Sequence, residues 1–97
     1  MPHYNLHNAV TCYAVTAVPD PSVMSRVLEL FTKRNLIPDS FAGFLMSGGE
    51  PRLEMTIEIV GLDDHLAGYL GRCMEQMTYV QAVEVSGQQD RRIATAA

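Results

Sequence analysis

The stretch VPDPSVMSRVLELFTKRNL, Val18 to Leu36, changes its hydrophobic period partway along, and that change decides the fold. Upstream, Val10 to Val18 holds no charged residue. Val10, Cys12, Ala14, Thr16 and Val18 face one way, and Thr11, Tyr13, Val15 and Ala17 the other. Both faces are largely apolar, which places this strand in the middle of a sheet. PDPS, Pro19 to Ser22, ends it, because proline donates no ladder hydrogen bond. From Ser22 to about Arg34 the spacing becomes helical. Val23, Val27, Leu30 and Phe31, with Met24 and Leu28, make a wide apolar stripe, while Ser25, Arg26, Glu29, Lys33 and Arg34 fall mainly opposite. Lys33 and Arg34 stand at the C-terminal end, where the helix dipole favours cations, and Asn35 suits a left-handed cap.

Working outward, Asp39 to Met46 reads as a second strand and SGGEP, Ser47 to Pro51, as a hairpin loop. Arg52 to Val60 alternates cleanly: Leu53, Met55, Ile57 and Ile59 belong inside, and Arg52, Glu54, Thr56 and Glu58 outside. Asp63 or Asp64 caps a second helix reaching about Met77, with Leu66, Leu70, Cys73 and Met77 on one side and Tyr69 and Met74 beside them. Tyr79 to Val85 closes the pattern as a strand. Residues 10–86 form one domain, and 1–9 and 87–97 are expected to be flexible. This order predicts an α+β, ferredoxin-like βαββαβ fold: a four-stranded antiparallel sheet with two helices on one face. The other face has no cover within the chain. Tyr13, Val15 and Ala17, or their neighbours, are expected to lie exposed there, and a homodimer is expected to bury them.

Composition narrows the function. The chain has 97 residues, is 47% hydrophobic and 19% charged, and so can build one core. Its formal net charge of −4 argues against nucleic acid. No apolar run is long enough to cross a bilayer, and MPHYNLHN lacks the pattern of a secretory signal, so a cytoplasmic setting is expected. Cys12 and Cys73 fall in apolar patterns and read as core thiols. His3 and His7 share a spacing of four but have no third ligand at a suitable distance. Asp63, Asp64 and His65 precede an amphipathic run and read as caps rather than acid–base groups. Met24, Met46, Met55, Met74 and Met77 sit mostly at core spacing. SGGE, Ser47 to Glu50, lacks the lysine and helix of a phosphate loop. No catalytic constellation, metal site or cofactor motif emerges.

Three segments together resemble the ACT domain family over roughly residues 10–86. They are Met24, Ser25, Arg26 and Val27 at a helix start, Lys33, Arg34 and Asn35 at its end, and Val80 to Val83 in a final strand. Among single-domain members, DPSVMSRVLELFTKRN is similar to the first helix of the small regulatory subunits of acetolactate synthase. The resemblance implies a non-catalytic regulatory protein, a dimer, with an amino-acid effector held between protomers. Its implied partner is the catalytic subunit of acetolactate synthase or another amino-acid biosynthetic enzyme. The implied contacts are Asp20, Pro21, Ser22, Val23 and Met24 at the turn, and Ile37 and Asp39 at the start of the second strand. Helix amides would take the ligand's carboxylate and Asp20 its ammonium. Pro19 stands where the family usually has Asn, and Ser22 where it usually has Gly. Two readings of the turn therefore stay open: a ligand site, or a helix cap supplied by Ser22. The alternative functions are a stand-alone amino-acid sensor dimer and a small ferredoxin-like enzyme.

Overall fold

A computed structural model describes residues 9–88. The terminal segments expected to be flexible, and His3 and His7 with them, lie largely outside the described residues. The elements are β1 (Val10–Ala17), α1 (Pro21–Thr32), β2 (Ser40–Met46), β3 (Arg52–Val60), α2 (Asp64–Glu75) and β4 (Val80–Gln88). The strands form one sheet in the order β2-β3-β1-β4, and each neighbouring pair is antiparallel. This is the expected βαββαβ fold, with β1 central. β4 runs past Val85, where the apolar pattern stops, because Cys12, Thr11 and Val10 still pair with Ser86, Gly87 and Gln88. Ladder hydrogen bonds come from the backbone and need no apolar side chain.

One core joins sheet and helices. Tyr13, Val15 and Ala17 of β1 meet Leu53, Met55, Ile57 and Ile59 of β3, Val23, Val27 and Phe31 of α1, and Ala67, Leu70 and Met74 of α2. Tyr13, Val15 and Ala17 are thus not on the uncovered face. Their neighbours Cys12, Ala14 and Thr16 are. The register is the reason: Tyr13 pairs with Ile57 and Val15 with Met55, and ladder partners share a face. Tyr13 is fully buried, donates from its hydroxyl to the Ala67 carbonyl at 2.7 Å, and meets the Phe31 ring edge-on at 6.0 Å. Burial pushes the Tyr13 phenol up to about 12.

The helix ends are capped from the sequence. Asp20, rather than Ser22, caps α1, accepting from the Ser22 amide. At its far end Asn35 adopts φ 62°, and the Leu36 amide reaches back to the Phe31 carbonyl at 3.0 Å, closing the helix as a left-handed cap does. Asp63 caps α2, accepting from the Leu66 amide at 2.7 Å.

α2 is rotated from the expected stripe. Its buried residues are Ala67, Leu70, Gly71 and Met74, while Cys73 is half-buried and Tyr69 is exposed. Gly71 causes this. A Cβ placed there would lie 2.7 Å from Val85 Cγ2, so the bare helix face seats directly on β4. Cys12 is half-buried too, on the open sheet face, with Sγ 3.8 Å from Glu58 Oε2; neither thiol is in the core, contrary to expectation.

Candidate functional site

A cavity of about 320 Å³ opens where α1 begins. Pro19, Asp20, Pro21 and Met24 form its helix side, and Gly43, Leu45 and Leu53 its sheet side. Three local features keep it open. Gly43 puts no side chain into it, and the Met24 thioether stands where that side chain would reach, with Cε 3.5 Å from the Cβ position. Leu45 is on the helix side of β2, opposite buried Leu53, yet 69% exposed, because it lies at the end of an edge strand. The Pro19–Pro21 turn sets the start of α1 beside this gap.

The donors at this helix start are already taken. Pro21 has no N–H, the Ser22 amide donates to Asp20 Oδ1 at 2.9 Å, and the Val23 amide donates to the Asp20 carbonyl at 3.1 Å. The Ser22 hydroxyl also donates to Asp20 Oδ1, at 2.6 Å. The turn therefore presents an anion rather than an anion trap. Ser22's hydroxyl and amide, with the positive field of Arg26 added, hold the Asp20 carboxyl below its ordinary value of 3.8.

That shift gives a pH test. A carboxyl whose pKa is lowered on folding adds stability above its unfolded pKa and loses it as pH falls through the folded one. Asp20→Asn keeps a capping oxygen and removes the titration. Thermal melts should show the wild-type chain losing stability, relative to Asp20→Asn, as pH falls below about 4. Parallel melting curves for the two proteins down to pH 2 would show that the hydrogen bonds to Asp20 carry no stability.

Of the residues expected to bind a ligand, the structure gathers Asp20, Pro21 and Met24 around the cavity. Ser22 is half-buried and turned onto Asp20, while Val23 is 2% exposed and faces the core. Ile37 and Asp39 stand at the opposite end of β2, where Asp39 Oδ2 accepts from the Val60 amide at 2.8 Å. Within one protomer they cannot join the first group. Gly43, Leu45 and Leu53 escaped the sequence reading. Their signal is SFAGFLM, Ser40 to Met46: an edge strand with no charged residue and a glycine at its centre.

The described residues contain no group of three or more His, Cys, Asp or Glu placed to hold a metal ion. None of their helices is long and apolar enough to cross a membrane.

The chain is a ferredoxin-like α+β domain with an open, mostly apolar cavity at the start of its first helix. A family model described as an ACT-like domain matches residues 5–92, and the chain belongs to that family. Domains of this family are in general regulatory and non-catalytic. Among solved structures, the chain is similar to the solution structure of the C-terminal domain of the MgtC protein from Mycobacterium tuberculosis. The two are 12% identical with a TM-score of 0.63, over 86% of this chain and 90% of that one, so the likeness is one of fold. No curated protein matches the chain by sequence.

Proposed function

We propose that this chain is a regulatory ACT-type subunit that acts as a homodimer, takes a small apolar amino acid beside α1, and modulates an amino-acid biosynthetic enzyme such as acetolactate synthase. The cavity carries the reading. At about 320 Å³ with mostly apolar walls, it falls at the lower end of small-molecule sites. Its rim carries Asp20, whose carboxylate suits an ammonium. The ligand's carboxylate points away from the helix amides, which are taken, toward the partner protomer.

The β2 edge supports the dimer. It is an edge strand whose outer backbone groups have no partner within the described residues, and it has no charge, no proline and no bulge to discourage pairing. Phe44 and Leu45 are 56% and 69% exposed along it. Two-fold pairing of β2 with its copy gives an eight-stranded sheet and sets the partner's strand against Gly43 and Leu45, closing the open side of the cavity. Sedimentation equilibrium should find a dimer in the wild-type chain and a monomer in Phe44→Lys, with unchanged circular dichroism. A wild-type monomer at micromolar concentration would end this reading of the edge.

The effector is tested by calorimetry with branched-chain amino acids. Heat is expected from the wild-type chain and not from Gly43→Val, whose side chain fills the cavity. Binding with no effect on a candidate synthase would favour the stand-alone sensor.

A further inference from the structure

A groove of about 530 Å³ runs between the outer faces of α1 and α2, where neither the effector cavity nor the β2 edge takes part. Half-buried Leu30, Cys73 and Met77 supply its apolar lining. Arg26, Lys33 and Arg34 supply cations, and Glu29 is the one carboxylate among its lining residues. Three cations against one anion stand out on a chain whose formal net charge is −4. The open sheet face is the reverse: Glu54, Glu58 and Glu84 share it with Arg52, which is already paired to Glu54 at 2.6 Å. Charge is thus sorted by side, acidic on the sheet and basic between the helices.

Arg34 is held in place for binding. Its guanidinium carbon lies 4.9 Å from the Tyr69 ring centroid, and Nη2 donates to the Tyr69 hydroxyl at 2.9 Å. One N–H of the five-donor fork is committed there, which ties the turn after α1 to α2 and lowers the entropy lost when a carboxylate meets the remaining donors.

We propose that this groove docks an acidic segment of a partner protein, with an apolar side chain seated against Leu30 and Met77 between carboxylates that meet Arg26, Lys33 and Arg34. Apolar lining with a cationic rim matches a segment that alternates these two chemistries. Nucleic acid fits less well, because Glu29 would face phosphates and the groove's one aromatic ring already carries Arg34 on its face. A membrane surface fits less well too, because the apolar residues line a concavity and do not protrude.

The test is fluorescence anisotropy of the full chain with a dye-labelled synthetic peptide of alternating Glu and Leu. Saturable binding near about 0.1 mM is expected at low salt, weakening as salt rises. Lys33→Glu with Arg34→Glu should weaken it about tenfold or more, and so should a peptide with Ser in place of Leu. Thermal melting checks that the variant is folded, and Arg26→Glu replaces it if it is not. Absence of saturable binding up to about 1 mM, or binding indifferent to the charge reversals, overturns the proposal. Tighter binding of oligouridylate RNA or of phosphatidylglycerol vesicles than of the peptide overturns it as well.

Discussion

Phe31→Ala should lower the free energy of unfolding by about 3–5 kcal/mol. Phe31 is fully buried at the C-terminal end of α1, and its ring meets Tyr13 at 6.0 Å with the planes 67° apart. Truncation removes the apolar transfer energy of a ring, leaves a cavity in a close-packed interior, and strips Tyr13 of its edge-to-face partner. A domain of this size has a total stability of only about 5–15 kcal/mol, so the variant should be largely unfolded at modest urea concentration. Ile37→Ala is the control. An apolar side chain is removed from a position 85% exposed, where surface substitutions stay within about 0.5 kcal/mol. Urea denaturation followed by circular dichroism reads both, and equal midpoints for the two variants would mean that the helix face has been misplaced.

Gly71→Val should cost about 1–3 kcal/mol, through overpacking rather than a cavity. In an ordinary helix, replacing glycine with alanine gains about 0.5–1 kcal/mol, so the expected sign here is opposite to the local rule. The reason is tertiary: a Cβ at this position comes within 2.7 Å of Val85 Cγ2 and 3.6 Å of Tyr13 Cε1. Tyr13 is buried and hydrogen-bonded, so α2 must shift or Val85 must turn aside. Val85→Ala removes the nearest atom. The double variant Gly71→Val, Val85→Ala should therefore recover stability relative to the sum of the singles, a coupling that a double-mutant cycle measures directly. Strict additivity would show that the close approach of α2 to β4 carries no energy.

The elements were legible where side-chain chemistry repeats along the chain. Leu53, Met55, Ile57 and Ile59 alternate with Arg52, Glu54, Thr56 and Glu58, and β3 begins and ends where that alternation does. Asp63, Asn35 and the Pro19–Pro21 turn announce where helices start or stop, because caps and turns act over three or four residues. The motifs around Met24 to Val27 and Lys33 to Asn35 carried the family resemblance, which the ACT-like match over residues 5–92 bears out.

What depends on pairs distant in sequence was not legible. The inward face of β1 could not be chosen from Val10 to Val18, since both faces are apolar; its ladder with β3 chooses it, through Tyr13 with Ile57 and Val15 with Met55. The orientation of α2 followed from Gly71, whose contribution is the absence of a side chain and so invisible to a hydrophobic pattern. The candidate site divides in the same way. Asp20, Pro21 and Met24 are neighbours in the chain and were found together, whereas Gly43, Leu45 and Leu53 reach the cavity only through the pairing of β2 with β3. The sequence by itself determined the order of helices and strands and the caps at Asn35 and Asp63, because each answers to residues a few positions away. The tertiary structure alone decided which face of β1 is core, how α2 is turned and where the cavity lies, because those depend on which strands pair and how closely two backbones approach.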